Sequence, residues 1–313
     1  MTYEGHDRRR PGTSPIRARR KVVTPEVLRQ VKGIELRTRG LVNSLFTGGY
    51  RSMFPGQGIE FNEVRAYQQG DEFRTIDWNV SARMGHPFVK TFHEERELTV
   101  LLIVDLSGSL HFGHPASKAG LAVEVAAVLA LAAARHDDRV GALLFADVVE
   151  YVVRPAKGRP HALRLIRDLV AFRPRGRGTN LADALGYATK LLHHRAIVVV
   201  LSDFRAQGWE EPLSRLSRRH EVIAVTIDDP REASLPEAGW VELDDAETGR
   251  RVLLDTGNPG TRARVQVAAE RLLQDRSRGL ARAGVDRVAL HTHIPYAVPL
   301  RRAFAERARR MKR

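Results

Sequence analysis

The sequence predicts an α/β protein: a doubly wound, mostly parallel sheet preceded by a small irregular, β-containing module. Three observations carry that prediction. The runs LTVLLIVDL (98–106), AIVVVLSDF (196–204) and EVIAVTI (221–227) are almost continuously apolar, as strands covered on both faces are. Helical stretches separate these runs, and buried strands alternating with helices form a parallel sheet. Before residue 98 the pattern differs. Gly48, Gly49, Gly56, Gly58, Gly70 and Gly85 recur there among isolated apolar residues, which predicts short strands and ordered loops.

Taken in order, residues 1–24 are polar and basic, with Pro11 and Pro15, and read as a disordered tail. Thr24-Pro25 supplies an N-cap followed by a proline at the first helical position. Val27, Val31, Ile34 and Leu41-Val42 then keep helical spacing to about 43, and the helix ends near Gly48-Gly49. That helix and the segment up to 97 form an N-terminal module, and 98–313 form the α/β domain. Within the domain, strands are expected at 98–105, 139–146, 148–153, 196–202, 221–227 and 286–292. Helices are expected at 116–136, 160–171, 180–192, 210–219, 261–283 and 299–311, with a hairpin at 240–255 around Gly249. Strands 98–105 and 196–202 are the most apolar, which suits neighbours at the sheet centre.

Composition bounds the function. The 313 residues contain no cysteine, which excludes a disulfide framework, a thiolate metal site and a cysteine nucleophile. The apolar stretch 121–134 is interrupted by Glu124 and falls short of the roughly 20 residues of a membrane helix. The N-terminus has no apolar core of a secretory signal. These features lead to the expectation of a soluble, cytoplasmic protein. The net charge is +14, with +7 in residues 1–40 and +10 in 257–313 around a nearly neutral middle. Aromatic residues do not interleave with these arginines, so nucleic-acid binding is the weaker reading, and attraction to an acidic partner surface is as natural.

The residues that carry chemistry sit at strand ends. The first buried strand runs into Asp105, Ser107 and Ser109, the loop GRGTNLADAL carries Thr179, and the strand at 196–202 runs into Asp203. In such sheets ligands bind outside the C-terminal strand ends. Oxygen donors without His or Cys suit a hard cation, Mg²⁺ or Mn²⁺. The three hydroxyls would be neutral ligands, and Asp105 and Asp203 would act directly or through bound water. Such a cation stays electrophilic and takes a carboxylate from another molecule. The competing reading is that Asp105 merely caps the helix starting near 116.

This Asp-x-Ser-x-Ser, Thr, Asp series resembles the metal-ion-dependent adhesion site of von Willebrand factor A domains, a Rossmann-type fold, with all five positions present. The resemblance implies Ser107, Ser109 and Thr179 as direct or switchable ligands. It makes Asp105 and Asp203 mainly water-mediated, and a partner's Glu or Asp completes the shell.

A second motif spans 61–83, FNEVRAYQQGDEFRTIDWNVSAR. It resembles the bacterial family known as domain of unknown function 58. The matching residues are Tyr67, Gly70, Asp71, Arg74, Ile76, Asp77, Trp78, Ser81, Ala82 and Arg83. Many members of that family have membrane helices upstream, which are not found here. Two readings of the motif stand: a salt-bridged structural module with Trp78 as its apolar anchor, or a docking surface.

The family resemblance implies partnership with a MoxR-type AAA+ ATPase in the assembly or maturation of protein complexes. The chain has no phosphate-binding Gly-x-x-x-x-Gly-Lys loop, so nucleotide hydrolysis would belong to the partner. The expected function is therefore non-enzymatic: a divalent-metal-dependent interaction module. The alternatives are a metal-dependent phosphoesterase, for which no evident nucleophile or base is supplied, and nucleic-acid binding through the basic ends.

Overall fold

A computed structural model describes residues 24–48, 60–93, 98–111, 117–247 and 249–310. The tail predicted over 1–24 lies outside these residues except for Thr24.

Six strands form the central sheet: β3 (Thr99–Asp105), β4 (Arg139–Phe145), β5 (Val149–Ala156), β6 (Ile197–Ser202), β7 (Glu221–Asp228) and β10 (Asp286–His291). Their order is β10-β7-β6-β3-β4-β5. All neighbours are parallel except β5, which runs antiparallel to β4. β3 and β6 are adjacent at the centre, as their apolar runs require.

The lack of polar alternation in these strands has a direct cause. Along β3, Val100, Leu102 and Val104 enter one core and Leu101 and Ile103 the other. Successive side chains point to opposite faces, and here both faces are covered. The first face holds α1 (Pro25–Gly48), α3 (Lys118–Arg135), α4 (Arg159–Ala171) and α8 (Ala297–Arg310). The second holds α5 (Leu181–Leu191), α6 (Glu210–Ser217) and α7 (Pro259–Arg282). Among the described residues no helix is long and apolar enough to cross a membrane.

Thr24 caps α1 through its hydroxyl, which accepts from the Val27 N–H at 3.3 Å. Val31, Ile34 and Val42 then bury themselves in the first-face core. Arg37 pairs with Glu124 of α3, and Arg159 of α4 pairs with Glu35. Thus α1 is a wall of the sheet's own core.

The motif segment forms a two-stranded antiparallel ribbon, β1 (Glu60–Ala66) with β2 (Phe88–His93). A short helix, α2 (Trp78–Met84), lies between them. A second ribbon, β8 (Trp240–Asp244) with β9 (Arg251–Asp255), is the predicted hairpin. Gly249 takes φ = 69° in its turn, a conformation that glycine adopts at little cost.

The chain leaves β3 toward β4 on one side and later returns to β6 on the other. This reversal makes the C-terminal ends of β3 and β6 the topological switch point, the place where open α/β sheets hold ligands.

Candidate functional site

Asp105 is the last residue of β3 and is fully buried. Its Oδ1 accepts from the Ser107 N–H at 3.0 Å and the Ser107 hydroxyl at 2.6 Å. Its Oδ2 accepts from the Ser202 hydroxyl at 2.6 Å. The helix α3 is capped instead by Ser117, which accepts from the Gly120 N–H, so Asp105 is not its cap. Burial first, and then the charge of Asp203, push Asp105 up to about 7, against hydrogen bonds from Ser107 and Ser202 that favour the charged form. A nearby cation would relieve that penalty.

Ser107 and Ser109 follow on the turn leaving β3, with their hydroxyl oxygens 3.1 Å apart. Two oxygens on neighbouring corners of an octahedron with arms of about 2.1 Å lie roughly 3 Å apart. The pair therefore fits a magnesium-sized ion. Between them, the Gly108 N–H donates to the Arg177 carbonyl at 2.8 Å. This bond draws in the loop that carries Thr179, and the Asn180 N–H anchors the same loop to the Ala146 carbonyl at 2.8 Å.

Backbone bonding thus brings Thr179 to the serine loop, and its side chain meets the β8–β9 turn there. Its hydroxyl donates to Oε1 of Glu247, in the β8–β9 turn, at 2.6 Å. Asp203 follows β6 and is fully buried. Its Oδ2 takes a hydrogen bond of 2.8 Å from the Lys118 ammonium, and its Oδ1 one of 3.2 Å from the Arg205 N–H. Lys118 also donates to Glu232 at 2.6 Å, and Arg205 reaches the other oxygen of Glu232 at 3.0 Å. With both oxygens engaged, Asp203 is suited to hold water or neighbouring groups rather than to bind a cation directly. Phe204, the next residue, takes φ = 53°, an uncommon conformation for a bulky residue. Its ring meets Trp209 edge-on with centroids 5.3 Å apart.

Four participants escape a reading of the sequence. Ser202, one step before Asp203, could have been found from its position at the strand end. Lys118 reads as an ordinary helix-start lysine. Glu232 reads as a loop acid and Glu247 as a turn acid, and only the folded chain brings either to the site. Among the described residues no group of three or more His, Cys, Asp or Glu is placed to hold a metal ion. The donors here are mostly hydroxyls, so a metal at this site would use Ser107, Ser109 and Thr179, with Asp105 orienting Ser107.

The motif segment has a different character. Asp71 forms a two-point ion pair at 2.7 and 2.8 Å with Arg65, a residue outside the matched set, and also accepts from the Gln68 N–H. The hydrogen bond from Arg65 leads in holding Asp71 below its usual range. Asp77 caps α2, accepting from the Asn79 and Val80 N–H groups at 3.0 and 3.2 Å. Ser81 accepts from the Phe88 N–H at 2.8 Å, and Ile76 bridges to Val89 in the small core. Gly70 takes φ = 110° in the turn, and Tyr67 lies 5.9 Å from the Phe73 ring.

Trp78 overturns one expectation. It is not an apolar anchor: it is 70% exposed, beside Phe73 at 74% and Met84 at 57%. The reason is positional, because Trp78 opens α2 just after the Asp77 cap, and Ile76 and Val89 fill the small core instead. Arg74 and Arg83 are exposed and have no ion-pair partner among the described residues.

The family described as "Protein of unknown function DUF58" matches residues 63–274. Uncharacterized proteins of Mycobacterium bovis and Mycobacterium tuberculosis are each 32% identical over 301 residues, covering 94% of this chain and 94% of theirs. Among solved structures, an aerotolerance-related membrane protein from Bacteroides fragilis aligns with 68% of this chain and 99% of its own at 15% identity, with a TM-score of 0.47.

Proposed function

We propose, from the premise that this chain belongs to the DUF58 family, that it is a divalent-metal-dependent interaction module of von Willebrand factor A type. Ser107, Ser109 and Thr179 supply hydroxyl ligands to Mg²⁺ or Mn²⁺. Asp105, which holds Ser107, would orient it and balance charge, and Asp203 would act through bound water. The metal, when bound, supplies an electrophilic position for an incoming carboxylate. Its partner is a MoxR-type AAA+ ATPase or a client protein that offers a Glu or Asp.

The observation that carries this reading is the Ser107–Ser109 pair, with oxygens 3.1 Å apart and braced by a fully buried carboxylate. A catalytic role for Asp105 as nucleophile is disfavoured, since hydrogen bonds engage both its oxygens. The exposed Phe73, Trp78 and Met84 beside Arg74 and Arg83 support a second contact with an acidic, partly apolar partner surface.

The test is capture of partners from native lysate by wild type and Asp105→Ala, each with Mg²⁺ and with EDTA. Recovery of an AAA+ ATPase by wild type with Mg²⁺ alone is the expected result. Equal recovery in all four samples overturns the metal-dependent contact.

A further inference from the structure

The β8–β9 hairpin folds its tip onto the candidate metal site. Three observations establish this. The Thr179 hydroxyl donates to Glu247 at 2.6 Å. A Cβ placed on Gly108, between the two serines, would lie 2.5 Å from the Ala246 carbonyl oxygen and 2.9 Å from that of Arg177. The hairpin backbone, the serine loop and the Thr179 loop are therefore in direct contact, and no side chain fits between them. A Cβ on Gly249, on the other arm of the turn, would lie 3.5 Å from the Arg177 guanidinium.

The tip is also preformed. The Glu247 N–H donates to Asp245 Oδ1 at 2.9 Å, the Gly249 N–H to the Asp245 carbonyl at 2.7 Å, and the Asp245 N–H to the Arg250 carbonyl at 2.8 Å. At its base, Thr256 clips the ribbon to Gly239 and Ala238. Among the described residues, the two strands pair only with each other between tip and base. An isolated two-stranded ribbon is marginal in water, so the seat at Gly108 and the clip at Thr256 hold it in place.

The chemistry of Glu247 follows from that seat. The serine loop beneath it begins at the fully buried Asp105 carboxylate, which is held by hydrogen bonds from Ser107 and Ser202. A second carboxylate on the neighbouring Thr179 hydroxyl adds negative charge that a cation would offset.

We propose that Glu247 is the acidic ligand of this site in cis: the hairpin delivers the carboxylate that a partner would otherwise provide, and an external acid binds only by displacing it. This rests on the metal reading above and adds to it a resident competitor.

The test titrates Mn²⁺ alone into wild type, Glu247→Gln and Glu247→Ala by calorimetry, with and without sodium acetate as the external carboxylate. Wild type is expected to bind Mn²⁺ and to ignore acetate. Both variants are expected to bind about tenfold more weakly, and acetate is expected to restore much of the loss in Glu247→Ala. Glu247→Gln keeps an acceptor for Thr179, so its loss reports the charge rather than the hairpin seat. Variants that bind Mn²⁺ like wild type overturn the proposal and leave the metal reading standing. Acetate enhancement in wild type equal to that in Glu247→Ala also overturns it, because the position would then be open. Absence of Mn²⁺ binding by wild type itself removes both the metal reading and this one.

Discussion

Two regions carry this chain's most distinctive residues, and the fold treats them in opposite ways. At the ends of β3 and β6, Asp105, Ser107 and Asp203 are buried and every carboxylate oxygen is engaged. In the segment 67–83, Trp78, Arg74 and Arg83 face outward, while Tyr67, Gly70, Asp71, Ile76, Asp77 and Ser81 serve the local structure. Polar groups out of water must be paired or they cost stability, so the first region is prearranged. The second leaves aromatic and cationic surface free to contact something else. Similar conspicuousness in sequence thus reflects two different uses of side chains.

Removing the Lys118 ammonium should break the buried side of this contrast most strongly. Lys118→Ala leaves the buried Asp203 without its cation, while Glu232 keeps Arg205, and the loss of one partner of a buried pair costs about 3–5 kcal/mol. Urea unfolding measures it, and a loss below about 1 kcal/mol would show that the pair behaves as a surface one.

The pH dependence of the metal-free protein sharpens the same side. Asp105 has an ordinary value of 3.8 and a folded value of about 7, so the folded state binds the proton more tightly. Its contribution to stability is present below the unfolded value and is lost as pH rises through the folded one. In EDTA, the melting temperature should therefore fall between about pH 4 and 7, and Asp105→Asn should flatten that part of the profile. A rising profile in wild type would contradict the assignment.

In the motif segment, the effects separate stability from contact. Asp77→Ala removes the cap of α2 and should cost about 1 kcal/mol, seen in thermal unfolding. Trp78→Ala touches an exposed side chain and should change stability by less than about 0.5 kcal/mol, while weakening partner capture. A larger loss of stability would restore Trp78 as a structural residue.

Much of the fold was legible because its causes are local and repeated. The apolar runs of β3, β6 and β7 read as strands covered on both faces, and Thr24-Pro25 and Gly249 punctuated elements where caps and turns demand them. The candidate site was legible in part: Asp105, Ser107, Ser109, Thr179 and Asp203 lie on strand ends and loops that alternation alone brings to one edge. Trp78 misled, because a tryptophan beside a run of charges looks like an anchor, and nothing local reveals that Ile76 and Val89 already fill the small core.

By itself, then, the sequence determined the strand and helix alternation, the central pairing of β3 with β6, the edge on which the oxygen donors gather and the family to which the chain belongs. Those properties depend on periodicity, capping and motif spacing, which act between residues near in sequence. Only the tertiary structure decided that Lys118 crosses 85 residues to Asp203 and that Glu247 crosses 68 to Thr179. Such pairings depend on which loops the sheet order brings face to face, and no short-range pattern in the chain encodes that.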